Sequence, residues 1–148
     1  MENNFLITNG DNYFKPEVFK QMVKSITNGY CLAITVKDKK NYGEDYMKIR
    51  LSGKKNVTYA SKSIENSKAN AISTGLFLVS GKKNAVIFKQ ILDDLVIDTK
   101  NHNKFWLEGI NRLHKKGFLV KTLEVYGKNV WREIDYPEDI ESLKTLIQ

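Results

Sequence analysis

Cysteine is nearly absent: Cys31 is the only one, it sits inside an apolar run, and it excludes a disulfide framework in favour of a reducing, cytoplasmic compartment. Proline occurs twice and glycine is dispersed, so collagen-like, Pro-rich and low-complexity classes are excluded. No apolar run approaches the roughly 18 residues of a membrane span, and Met1 to Asn4 are polar, so neither a transmembrane helix nor a signal peptide is expected. Histidine is limited to His102 and His114, which lack cysteine partners; this argues against a zinc site, and no nucleophilic triad can be assembled. Arginine is limited to Arg50, Arg112 and Arg132, so the net charge of +7 is almost entirely lysine. The lysines come in scattered pairs (Lys39-Lys40, Lys54-Lys55, Lys82-Lys83, Lys115-Lys116) at turns and helix ends. That pattern is a solvated surface rather than the arginine and aromatic platform of a nucleic-acid binder, though it suits phosphorylated substrates.

What is present is a chain of 148 residues, 41% hydrophobic and 28% charged, enough for one domain over residues 1–148 with a real core. The stretch Asn4 to Phe14 is the most informative. Phe5 to Thr8 is a short apolar, β-branched run that stops at Asn9-Gly10, which reads as a buried strand delivering Asp11 at a turn. Asp11 is either a turn residue or a site carboxylate, since open α/β sheets bind ligands at the C-terminal ends of their strands. Far downstream, Val130 to Asp135 offers a second carboxylate where an apolar run meets a helix start.

Between them the periodicities alternate. Pro16 opens a helix with Val18, Phe19, Met22, Val23 and Ile26 on one face and Gly29 at its end. Tyr30 to Val36 is apolar on both alternating sets, as in a strand covered on two faces, and a parallel pairing with Phe5–Thr8 is expected. Tyr46–Leu51, with Met47, Ile49 and Leu51 inward and Lys48 and Arg50 outward, forms a hairpin with Val57–Ala60 across Ser52–Asn56. Gly75, inside the apolar run Ala71–Val79, marks either a bulge or a close approach of a ligand. Two helices follow, the first capped by Asn84 and the second carrying Trp106, Ile110 and Leu113. Then come a strand over Phe118–Tyr126, a turn at Gly127-Lys128-Asn129, an extended piece at Val130–Ile134, and a last helix opened by Pro137 with Ile140, Leu143 and Ile147 on one face.

This order, with the Met47-Lys48-Ile49 hairpin, Ser61-Lys62, the Thr74-Gly75-Leu76-Phe77 strand and above all Trp131-Arg132-Glu133-Ile134-Asp135-Tyr136-Pro137-Glu138-Asp139, resembles the nucleotidyltransferase family. Within it the chain is most similar to the inositol-1-phosphate and phosphocholine cytidylyltransferase branch. The resemblance runs from Asn4 to the C-terminus. It implies an α/β, Rossmann-like fold with a mixed sheet, and magnesium-dependent transfer of a nucleotide, CTP favoured, to a phosphorylated alcohol or sugar with release of pyrophosphate. It implies Asp11 and Asp135 as magnesium ligands, Lys62 as a catalytic contact to the acceptor phosphate, and Gly10, Thr74, Gly75 and Glu133 as further substrate contacts. The family's glycine-rich triphosphate loop and the strands and helices around it have no counterpart in this sequence. The chain is then a fragment, a split enzyme completed by a partner chain that supplies them, or a degenerate remnant. Activity is expected to need the missing part, a homodimer through an exposed strand edge is the other partnership expected, and the alternative function is a non-catalytic remnant or subunit that binds an acceptor phosphate or a partner chain. Tyr136 also departs from the family, standing where a small helix-capping residue is usual.

Overall fold

A computed structural model describes residues 4–38, 42–53, 55–97, 105–127 and 130–147. His102, Lys39, Lys40, Lys54 and the Lys128-Asn129 part of the expected turn lie outside these. The elements are β1 (Asn4–Thr8), β2 (Asn12–Phe14), α1 (Pro16–Thr27), β3 (Leu32–Lys37), β4 (Lys48–Ser52), β5 (Asn56–Ser61), β6 (Ala71–Ser80), α2 (Lys82–Ile97), α3 (Glu108–Lys115), β7 (Lys121–Glu124), β8 (Trp131–Glu133) and α4 (Pro137–Ile147). No described helix is long and apolar enough to cross a membrane.

The sheet is mixed, in the order β1-β6-β3-β7-β5-β4, and β2 and β8 form a separate antiparallel pair. β6, buried over its whole length, is its organising strand. It runs antiparallel to β1 on one side and to β3 on the other, so β1 and β3 point the same way without touching. The expected parallel pairing of these two is thus corrected: a strand more than thirty residues downstream takes the place between them. β3 is paired on both sides, since β7 lies parallel to its other edge, and of the six strands of this sheet β1 alone pairs with a single neighbour among the described residues. Ile72 of β6 pairs with Lys37 of β3 and also with Lys48 of β4, which puts β4 on the same side of β6 as β1. With β5 pairing β4 and, at Asn56–Lys121, β7, the strands β3, β6, β4, β5 and β7 close into a ring.

Each face of the sheet has its own core. Ile34, Val36, Phe77 and Val79 pack with Phe88 and Ile91 of α2 and with Ile110 and Leu113 of α3, whereas Ala33, Leu76 and Leu78 pack with Val18 and Met22 of α1 and Phe14 of β2. The doubly apolar pattern of β3 is this two-sided burial. Closure of the ring also explains a correction in β4: Lys48, expected outward, is only 6% exposed and donates from Nζ to the Lys62 carbonyl at 3.0 Å. Alternation assigns faces correctly only where one face is solvated, and at the start of β4 both Lys48 and its neighbour Ile49, which point to opposite faces, are buried. Two smaller differences concern helices: α3 begins at Glu108, after Trp106, and Asn84 lies inside α2, where its Nδ2 donates back to the Ser80 carbonyl at 2.7 Å instead of capping.

Candidate active site

β1 and β4 flank the same side of β6 but leave Ser73, Thr74 and Gly75 between them, β1 ending opposite Leu76 and β4 starting opposite Ile72. β6 bulges in this gap: two steps along β3, from Ile34 to Val36, match four along β6, from Phe77 to Ser73. Thr35 Oγ1 contacts both Thr74 Oγ1 and the Leu76 carbonyl. A hydroxyl has one proton, so Thr74 donates to Thr35 and Thr35 to the carbonyl. Gly75 N donates to Ser73 Oγ at 3.0 Å and its φ is +78°, a left-handed value suited to glycine.

The turn leaving β1 enters this gap. A Cβ on Gly75 would lie 3.0 Å from Asn12 Nδ2 and 3.3 Å from Asn9 Nδ2. Of the two readings left open by the sequence, the glycine makes the bulge; the close approach it permits is that of the protein's own carboxamides, not of a ligand. Each is held by an indole: Trp106 Nε1 donates to Asn9 Oδ1 and Trp131 Nε1 to Asn12 Oδ1, both at 2.7 Å. Between these asparagines stands Asp11, whose Oδ1 accepts from Asn12 Nδ2 at 3.1 Å.

The second carboxylate arrives through β8. Asn12 pairs with Glu133 in the β2–β8 ladder, and Ile134 N donates to the Asp11 carbonyl at 2.8 Å, which brings Asp135 to the turn. Its backbone is tied to α4: Asp139 Oδ2 accepts from the N–H of Asp135 at 3.0 Å and of Tyr136 at 2.9 Å. Asp139 thus reaches back from the first helical turn, half of a capping box, and the absence of a small capping side chain at 136 is offset from inside the helix.

Asp11, Glu133 and Asp135 line one cavity of ≈ 350 Å³ together with Asn9, Asp45, Met47, Lys62, Phe105, Leu107 and Tyr136. Lys62 enters from the end of β5, its ammonium 4.8 Å from the centroid of the Phe105 ring, and its backbone is pinned by Lys48. An adjoining cavity of ≈ 420 Å³ shares Glu133, Asp135 and Tyr136 and adds Lys37, Tyr46, Arg132 and Asp139. Of the residues singled out from sequence, Asp11, Lys62, Glu133 and Asp135 meet in one place. Gly10, Thr74 and Gly75 do not line it: Gly10 is exposed in the turn, Thr74 is turned into the sheet and Gly75 lies behind the asparagines. Asn9, Asn12, Trp106, Asp45 and Phe105 had not been singled out. The asparagines flanking Gly10-Asp11 read only as turn residues, and nothing in the sequence ties them to the two tryptophans.

Among the described residues no three or more His, Cys, Asp and Glu side chains form a group able to hold a metal. Two carboxylates beside an open polar cavity are nonetheless a fitting donor set for magnesium, a hard cation that keeps several waters and takes further oxygens from substrate phosphates.

No protein-family model and no curated protein matches the chain. Solved structures do, and they show its fold, the Rossmann-like fold of the nucleotidyltransferases. Among them are the inositol-1-phosphate CTP transferase from T. maritima (19% identity, TM-score 0.63, covering 99% of this chain and 57% of that one), the CTP:phosphocholine cytidylyltransferase from Streptococcus pneumoniae (18%, 0.63, 97% and 57%), and a nucleoside-diphosphate-sugar pyrophosphorylase from Vibrio cholerae RC9 (14%, 0.64, 98% and 56%). The chain spans little more than half the length of these structures.

Proposed function

We propose that the chain is the acceptor-binding and metal-holding part of a magnesium-dependent nucleotidyltransferase acting on a phosphorylated alcohol or sugar, with CTP as the favoured donor. The observation that carries this reading is the meeting of Asp11, Lys62, Glu133 and Asp135, drawn from three separated stretches of sequence, around one cavity. Asp11 and Asp135 would hold the magnesium, which when bound neutralises charge on the phosphoryl oxygens. Lys62 would orient the acceptor phosphate, whose oxygen attacks the α-phosphorus as pyrophosphate departs with the electron pair of the broken P–O bond. Glu133 would face the remainder of the acceptor.

The triphosphate would be held by a glycine-rich part from outside these residues, docked on the outer edge of β1. Among the described residues no strand pairs with that edge, and Phe5, Leu6 and Ile7 along β1 are only half-buried, which favours strand addition. The test mixes the chain with magnesium, CTP and a panel of inositol 1-phosphate, phosphocholine and hexose 1-phosphates, with and without a glycine-rich cytidylyltransferase half supplied in trans. Pyrophosphate release that needs the added half, and that Asp11→Asn or Asp135→Asn lowers by about 10²-fold or more, is the expected result. A chain that stays monomeric, folds cooperatively and neither responds to the added half nor releases pyrophosphate would sink it.

A further inference from the structure

Trp131 heads the motif that supplies Glu133 and Asp135, yet its own indole N–H is directed back to the opening turn. There it donates to Asn12 Oδ1 at 2.7 Å, and Asn12 Nδ2 donates to Asp11 Oδ1 at 3.1 Å. A carboxamide has one accepting and one donating end. Flipped, Asn12 would set its N–H against the indole N–H and its oxygen against the carboxylate, two repulsive contacts in place of two hydrogen bonds. The donor-only indole therefore dictates which end of Asn12 faces Asp11. Gly75 completes the arrangement, because any Cβ there would crowd Asn12 Nδ2.

We propose that Trp131 and Asn12 are positioning residues for the Asp11 carboxylate: the relay from indole to carboxamide to carboxylate fixes one oxygen of Asp11 and so aims the other at the cation. This rests on the reading of Asp11 as a magnesium ligand. Trp106 makes the same bond to Asn9, one step further from the carboxylate, and serves as the internal comparison.

The test is a titration of the whole chain with Mg²⁺ alone, followed by ¹H–¹⁵N NMR of the indole and carboxamide groups. In the wild type the Trp131 indole and Asn12 carboxamide resonances are expected to move together and saturably, and Asp11→Asn to abolish the movement. Loss of a partner that orients a metal ligand costs ~10–100-fold in affinity, so Trp131→Phe and Asn12→Ala should each raise the apparent Kd about tenfold, and Trp106→Phe much less. Asn12→Ala keeps every buried apolar group in place, and melting curves without Mg²⁺ identify any variant that has lost its fold. A wild type with no saturable response overturns the metal reading and the proposal with it. A saturable wild type whose Kd is unchanged in Asn12→Ala and Trp131→Phe overturns the positioning role alone.

Discussion

Two asparagines hold the two walls of the cavity, and they do it to different ends. Asn12, on the acidic wall, is part-exposed and its bonds finish on a carboxylate. Asn111, behind the Lys62 wall, is 2% exposed, and two of its three bonds close on the backbone of a single residue. Its Oδ1 accepts from Ala60 N at 2.8 Å, while its Nδ2 donates to the Ala60 carbonyl at 2.9 Å and to Glu108 at 2.8 Å, so α3 completes the pairing of β5 with a side chain. The same carboxamide that sets a geometry at the surface holds an element in place when buried. The largest effect expected follows from this. Asn111→Leu leaves a buried donor and a buried acceptor of Ala60 unpaired, each costing about 1–3 kcal/mol, so unfolding in urea should shift by roughly 3 kcal/mol. Asn12→Ala should change the same curve by a fraction of that. Equal shifts in the two variants would erase the distinction.

Gly75 lies where the acidic wall meets the sheet, so replacing it loads both roles at once. Gly75→Ala meets a left-handed φ, at a cost of roughly 1–2 kcal/mol, and pushes on Asn12 Nδ2, 3.0 Å away. An intermediate loss of stability is expected, about 2 kcal/mol, and with it a weaker Mg²⁺ response, a combination that neither asparagine variant should show. Loss of stability with unaltered Mg²⁺ affinity would mean that Asn12 moves without disturbing Asp11.

These residues also mark how far the sequence could be read. Elements with local causes were legible: the β4–β5 hairpin from Ser52-Gly53, α1 and α4 from their first-turn prolines, and β3 from apolar residues on both alternating sets. What local chemistry does not encode was missed. No period in the sequence reports that β6 inserts between β1 and β3, and the burial of Lys48 follows from that closure, not from its neighbours along the chain. Asp11 and Asp135 were paired through the family resemblance, because nothing within either stretch refers to the other across more than a hundred residues. The asparagine–tryptophan bonds span comparable separations, so Asn9 and Asn12 were legible as turn residues and nothing more. At Gly75 the local signal was correct for the bulge but blind to what approaches, the chain's own carboxamides rather than a ligand.

The smallest effect belongs to the rim of the Lys62 wall. Phe105 is 51% exposed and its ring sits 4.8 Å from the Lys62 ammonium. At an exposed site such a contact is worth about 0.5–1 kcal/mol, far below the hydrogen bonds of Asn111, and removing it should leave stability almost unchanged. Its consequence is expected in binding. The ring holds the ammonium over the cavity while leaving its N–H groups available, so Phe105→Leu, which keeps apolar bulk but loses the aromatic face, should weaken acceptor-phosphate binding by about two- to fivefold, the same 0.5–1 kcal/mol expressed as affinity. Titration of the chain with an acceptor phosphate, read from NMR shifts around Lys62, measures this directly. Phe105→Tyr, which retains the face, should bind like the wild type. Tighter binding in Phe105→Leu would reverse the sense of the contact: the ring would then be a resting place from which Lys62 must be drawn to reach its phosphate, and the two walls would differ not only in strength but in that one is set before the substrate arrives and the other after.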